Sequence, residues 1–215
     1  MANQQQSSQA ALSVSIGHSR EPLACVTPPN GPKSEYFPNV VVVTHENRKA
    51  LFYDDLLRGK IVLINFMSIQ SESVFRFSEN LQKVQHYIGP RLGREVFMYS
   101  VTVDPENDTP GALDKFASKL GVDPGWLFLT GEPIAIQRIK SSLFSGDSIH
   151  NHAGGASDDC SLAMIRYGNE AVGLWGTVSS AARPEWIAQR VSWVESRRAP
   201  TGPFKRCGPF PRDAA

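Results

Sequence analysis

Residues Ile61-Val62-Leu63-Ile64-Asn65-Phe66-Met67 form a seven-residue run with a single polar side chain. A strand with one wet face alternates apolar and polar residues, because successive side chains point to opposite sides of the sheet. A run that is apolar in both phases has both faces covered, as in the central strand of an α/β sheet. The same run falls far short of the roughly 20 residues that a membrane-spanning helix needs. Lys60 to Met67 is therefore predicted as a buried central strand with helices on either side.

The rest of the pattern supplies those layers. Val40 to Thr44 is a β-branched run; Glu46 to Lys49 turns the chain, and Ala50 to Tyr53 returns, which predicts a hairpin. After the central strand, Ser71 or Ser73 is predicted to cap one helix with an apolar stripe of Val74, Phe77, Leu81, Val84 and Ile88, ending near Gly89-Pro90. Val96 to Val103 reads as a second buried strand. Thr109 before Pro110 is a helix start, Leu113, Phe116, Ala117 and Leu120 are its core face, and Gly121 is its stop. Trp126 to Leu129 is a short strand, followed by a helix from about Pro133 to Leu143. The connection Phe144 to Asp159 is long for a simple loop. Ser161 to Tyr167, a turn at Gly168-Asn169, and Ala171 to Trp175 read as a second hairpin. A last helix, Arg183 to Glu195, offers Trp186, Ile187, Val191 and Val194 to the core. Strands alternating with helices, then a final hairpin and helix, predict an α/β thioredoxin-like fold: a central mixed sheet flanked by helices, with an N-terminal β-hairpin.

Three segments follow from composition. Residues 1–33 are rich in Gln, Ser, Ala and Pro and read as a mobile N-terminal segment; residues 34–195 are the domain; residues 196–215 are a basic, proline-rich tail. A domain of that size buries enough surface to fold without a disulfide or a metal. The 22 Lys and Arg against 21 Asp and Glu give a net charge of +1, with no electrostatic case for nucleic acid or an anionic membrane in the whole-chain balance. No Lys or Arg precedes Arg20, and Ala10 to Ile16 is broken by Ser13 and Ser15, so no signal peptide is predicted. As written the chain reads as cytoplasmic, and as periplasmic if the true start or a leader is missing. Cys25, Cys160 and Cys207 make neither a CxxC nor a CxxxC pair.

Five stretches carry a family likeness: Tyr36 to Val40, Gly59 to Met67, the string Val103-Asp104-Pro105-Glu106-Asn107-Asp108-Thr109-Pro110, Trp126 to Gly131, and Arg166 to Ala171. Over residues 36 to 195 the sequence resembles the Sco/SenC family. The resemblance implies a thioredoxin-like copper chaperone used in assembly of respiratory oxidases, with copper held by a CxxxC pair after the central strand and a His before the late hairpin. Placed on Asn65-Phe66-Met67, the two Cys positions are Ser71 and Phe75; placed on Tyr167-Gly168-Asn169, the His position is Ser161.

Copper takes soft thiolate and imidazole donors, and thiol exchange needs a thiolate. Ser71, Phe75 and Ser161 supply neither, and Phe75 is expected to plug the old site by joining the core or roofing it. No cofactor is expected, with copper only as an alternative, and no catalytic residue is assigned; the chain reads as a non-enzyme. Asp104 and Glu106 read as turn and cap residues. The expected role is binding or scaffolding, with a respiratory or dehydrogenase assembly factor or a copper-competent relative as protein partner. The alternatives are a relocated metal site at His150, His152 and Cys160, where the His-x-His spacing puts both rings on one side of an extended segment, or a copper chaperone that uses a partner's ligands.

Overall fold

The computed structural model describes residues 29–144 and 160–195, without the side chain of Cys160. The apolar run becomes the strand Ile61–Met67, β3, in a seven-stranded sheet. It is preceded by β1 (Val41–Thr44) and β2 (Lys49–Leu51), and followed by β4 (Val96–Thr102), β5 (Trp126–Thr130), β6 (Met164–Asn169) and β7 (Leu174–Ser179). The order is β2-β1-β5-β4-β3-β6-β7. β3, β4 and β5 run parallel, while β1 is antiparallel to β5 and β6 antiparallel to β3, so both flanks are made of hairpins.

Among the described residues the α-helices are α1 (Ile69–Phe75), α2 (Phe77–Ile88), α3 (Pro110–Leu120), α4 (Pro133–Phe144) and α5 (Pro184–Val194). The two phases of β3 feed two separate cores. Leu63 and Met67 pack with Leu81 and Val84 of α2, Leu113 of α3 and Ile187 and Val191 of α5. Val62, Ile64 and Phe66 pack with Ile136 and Ile139 of α4 and with Phe52, Leu56 and Leu57. The last three lie in one wide helical turn of π type, Phe52–Leu57, between β2 and β3. The mixed sheet with two helical layers and the N-terminal hairpin are as the sequence predicts, and Thr109, Pro110 and Gly121 start and stop α3 as expected.

Three local expectations are corrected. The single helix after β3 is two: Arg76 takes a left-handed conformation (φ +47°) and divides α1 from α2. Val74 therefore leaves the predicted stripe and is 73% exposed. The late hairpin turns at Glu170–Val172 and Gly173 (φ +67°), after Gly168-Asn169, which lies inside β6. Gly168 is a shelf: it pairs with Trp175 across the ladder, and an added Cβ would lie 2.2 Å from the indole Cε3. Trp186, predicted in the core, is 53% exposed, while Ile187, Val191 and Val194 are buried as expected. Residues 1–28 of the N-terminal segment, the 145–159 part of the long loop and the basic tail lie outside the described residues, whereas Gly31, inside the predicted 1–33 segment, is buried against the domain.

One carboxylate ties four parts of the fold together. Glu170, 1% exposed, receives hydrogen bonds from the Gly31 N–H (2.6 Å) and the Tyr53 hydroxyl (2.6 Å) at Oε1, and from the Gly59 N–H (2.7 Å) at Oε2. Its own N–H donates to the Lys60 carbonyl at 3.0 Å. The charge thus sits on three donors from three separate segments, at the point where β3 begins. Removing the carboxylate strands all three; at about 1 kcal/mol or more each, Glu170→Ala should cost roughly 3 kcal/mol or more in urea unfolding. Gly168→Ala should cost about 1–3 kcal/mol through overpacking and change the near-ultraviolet signal of Trp175, which a neutral substitution would leave in place.

Candidate functional site

β3 ends at Met67, and the chain turns directly into α1. Ser68 is the helix cap: its Oγ accepts from the Ser71 N–H (3.1 Å), and Ser71 Oγ accepts from the Ser68 N–H (3.1 Å). Ser71 Oγ also donates to the Ser68 carbonyl at 2.9 Å. Both hydroxyls are therefore spent on a reciprocal capping box, which satisfies backbone groups that a helix end otherwise leaves open. Neither Ser71 nor Ser73 is the cap that the sequence suggested; Ser71 is its third-position partner.

Asp108 completes this helix end from the neighbouring loop. It is 3% exposed, accepts from the Ile69 N–H (3.2 Å) at Oδ2, and receives the Thr102 hydroxyl at the same oxygen. A carboxylate at a helix N-terminus is held by the positive end of the helix dipole. Nothing in sequence reasoning singled out Asp108, although it stands in the Asp104-to-Pro110 string. Asp104, as expected, closes the turn there by accepting both ways from Asn107 Nδ2 (3.0 and 2.9 Å).

Glu72 manages the break that follows. Its carbonyl accepts the Arg76 N–H (3.2 Å), and its Oε2 accepts the Ser78 N–H (2.9 Å) at the start of α2. Burial pushes its carboxyl above the usual range, against the pull of the Ser78 donor. Beside Glu72, a cleft of about 680 Å³ opens between α1, α2 and α3, lined by Ile69, Arg76, Gln82, Phe116 and Lys119 among others.

Phe75 does not join the core, one of the two placements expected for it. Its ring is 56% exposed and stacks on Phe77 at 5.6 Å with 5° between the planes, because α1 ends there and its last turn faces outward. Ser161, buried at 6% exposure, lies in the short turn Cys160–Ala163 before β6. The register Asn65↔Ile165 brings that turn to the same end of the sheet as Ser68 to Phe75. The topology thus gathers the three positions at one end of β3, but what they present is two hydroxyls and a phenyl ring. This donor set does not fit a soft cation. Among the described residues, no group of three or more His, Cys, Asp or Glu side chains is placed to hold a metal ion. His150 and His152 lie outside the described residues, as does the side chain of Cys160.

Burial, reinforced by Asp104 and opposed by Thr102 and Ile69, holds the Asp108 carboxyl above its ordinary value. The folded chain then binds this proton more tightly than the unfolded chain, whose carboxyl titrates near about 3.9. Stability from this group falls as pH rises from there through the raised value. In urea unfolding across about pH 4 to pH 7, the stability of the wild type minus that of Asp108→Asn should therefore decline with rising pH; a difference that grows would reverse the sign.

A family model described as SCO1/SenC matches residues 43–160, more than half of the chain. No curated protein matches it. Among solved structures the chain is similar to Bradyrhizobium japonicum ScoI with copper bound, at 20% identity over 72% of this chain and 96% of that one, TM-score 0.53. It is similar to yeast Sco1 with copper bound, at 16% identity over 73% and 90%, TM-score 0.55. It is also similar to BsSco, a member of the Sco family of cytochrome c oxidase assembly proteins, at 18% identity over 78% and 95%, TM-score 0.55. At such identities these likenesses speak for the fold, which agrees with the thioredoxin-like reading. The matched span runs from β1 through α4 and takes in β3, the capped start of α1 and the Asp104-to-Pro110 turn, and on that match the chain belongs to the SCO1/SenC family.

Proposed function

We propose that this chain is a non-catalytic binding or scaffold member of its family, one that has given up copper and thiol chemistry and serves the assembly of a respiratory or dehydrogenase complex through a protein partner. The observation that carries this is the state of Ser71. Its hydroxyl is engaged on both sides by Ser68, in a cap that a helix end needs whether or not a ligand is present.

The surrounding chemistry supports the same reading. A helix N-terminus lowers the pKa of a thiol placed on it and so favours a reactive thiolate. Here the Ile69 N–H is taken by the Asp108 carboxylate, and Ser71 is a hydroxyl. Phe75 brings a hydrocarbon ring to the surface next to Val74, 73% exposed, where a ligand-holding loop would need a donor. An exposed apolar pair at that end suits contact with another protein better than it suits retention of a cation. The respiratory link comes from family membership and from BsSco, whose family is that of cytochrome c oxidase assembly proteins.

Metal analysis after loading with Cu(I) under reducing conditions tests the proposal. The wild type should retain well under one copper per chain, and the triple variant Ser71→Cys, Phe75→Cys, Ser161→His should gain tight binding of about one. Tight binding of one copper by the wild type would overturn the proposal. Loss of that copper on His150→Ala with His152→Ala would then assign it to the loop.

A further inference from the structure

α5 buries Ile187, Val191 and Val194 against the sheet and turns an unusual set of side chains outward. Arg183, Trp186, Arg190 and Trp193 fall at intervals of three and four, the spacing of one helix face. Trp186 is 53% and Trp193 60% exposed. Each indole carries a guanidinium: Arg183 lies 5.4 Å from the Trp186 ring and Arg190 3.8 Å from the Trp193 ring. An arginine stacked on an aromatic face keeps its in-plane N–H donors free for a two-point contact with an oxyanion. Glu195 is matched by Arg91, and Glu185 pairs with Arg183, so Arg190 is the cation of the stripe with no carboxylate partner among the described residues. Tyr87 and Lys83 of α2 line a groove of about 610 Å³ with Pro184 and Glu185, at the start of the same helix.

We propose that this face of α5 is a docking surface for an anionic lipid headgroup layer, with Trp186 and Trp193 entering the interface and Arg190 meeting phosphate. Three features favour a lipid surface over a protein. The face belongs to one helix of 11 residues, about 16 Å long. That is small beside the roughly 800 Å² per partner of a standard protein interface. Membrane contact asks only for interfacial aromatic anchors and nearby cations. Tryptophan and arginine are the residues that suit the headgroup region and its phosphates. In sequence, α5 leads straight into twenty residues with five cations, Arg197, Arg198, Lys205, Arg206 and Arg212, against one acidic side chain, Asp213. Cations in that number beside an amphipathic helix are attracted to anionic lipid. The near-zero charge of the whole chain hides this segregation.

Vesicle co-sedimentation of the full chain tests the proposal without reference to copper. Vesicles of phosphatidylcholine with about 30 mol% phosphatidylglycerol should bind the protein, and pure phosphatidylcholine should bind it at least about tenfold less. Salt at about 0.5 M should release it. Tryptophan emission should shift to the blue on binding, since Trp186 and Trp193 are exposed while Trp126 is only 1% exposed. The double variant Trp186→Ala with Trp193→Ala should lower the partition coefficient at least about tenfold with an unchanged melting temperature, because both rings lie on the surface. The proposal is overturned if anionic and neutral vesicles bind alike, or if the double variant binds as the wild type does. Retention on a polyglutamate matrix without vesicle binding would also overturn it, in favour of an acidic protein.

Discussion

A buried carboxylate must be met by donors or it is not tolerated, and Glu170 is met by three from parts of the chain far apart in sequence. Gly31 belongs to the segment before the first strand, Tyr53 to the wide turn that covers one face of the sheet, and Gly59 to the entry into β3. The residue itself opens the turn of the β6–β7 hairpin. One side chain therefore fixes where the central strand begins relative to its antiparallel neighbour. Burial, with Glu170 beside it, keeps the Tyr53 phenol above its ordinary value, so it remains a donor to that carboxylate. Since β3 is a seven-residue strand, its start also sets its end, and thus the place where the α1 cap forms.

The elements that the sequence made legible are those whose signal is local. Continuous hydrophobicity at Ile61–Met67 gave the central strand, and Thr109-Pro110 with Gly121 bounded α3. The misses share a cause: a residue type with two structural uses. Gly168 next to Asn169 has turn chemistry, but here the glycine gives room for an indole ring lying across the ladder, and Gly173 makes the turn. Trp186 fits an apolar pattern, yet the flanking Arg183 and Arg190 mark it as a surface residue. Nothing local announces the break at Arg76, where neither Gly nor Pro stands. It is held by Glu72, whose carbonyl and carboxylate reach both sides of it.

For the site, the resemblance pointed to Ser71, Phe75 and Ser161, and the topology brings these three to one end of β3. Ser71 was read as a missing donor; its geometry makes it part of a helix cap. Phe75, expected to join the core or to roof the site, does not join the core: it is 56% exposed at the last position of α1. Asp108 went unread because a carboxylate in an Asp- and Asn-rich turn resembles every other turn acid; only contact with Ile69 and Thr102 separates it from Asp104.

These contacts account for how the end of β3 is held. The interactions that hold the end of β3 are Ser68 with Ser71, Asp108 with Ile69 and Thr102, and Glu72 with Ser78; all are hydrogen bonds within the protein. None needs an ion or a disulfide. The two cores on either face of β3 are likewise built from aliphatic and aromatic side chains. A fold whose stability comes from burial and internal capping places no constraint on what its surface positions coordinate. The left-handed Arg76 then has a consequence of its own. By ending α1 early it leaves Val74 and Phe75 exposed in the last turn of that helix. At this end of the sheet the chain presents the exposed side chains of Val74 and Phe75.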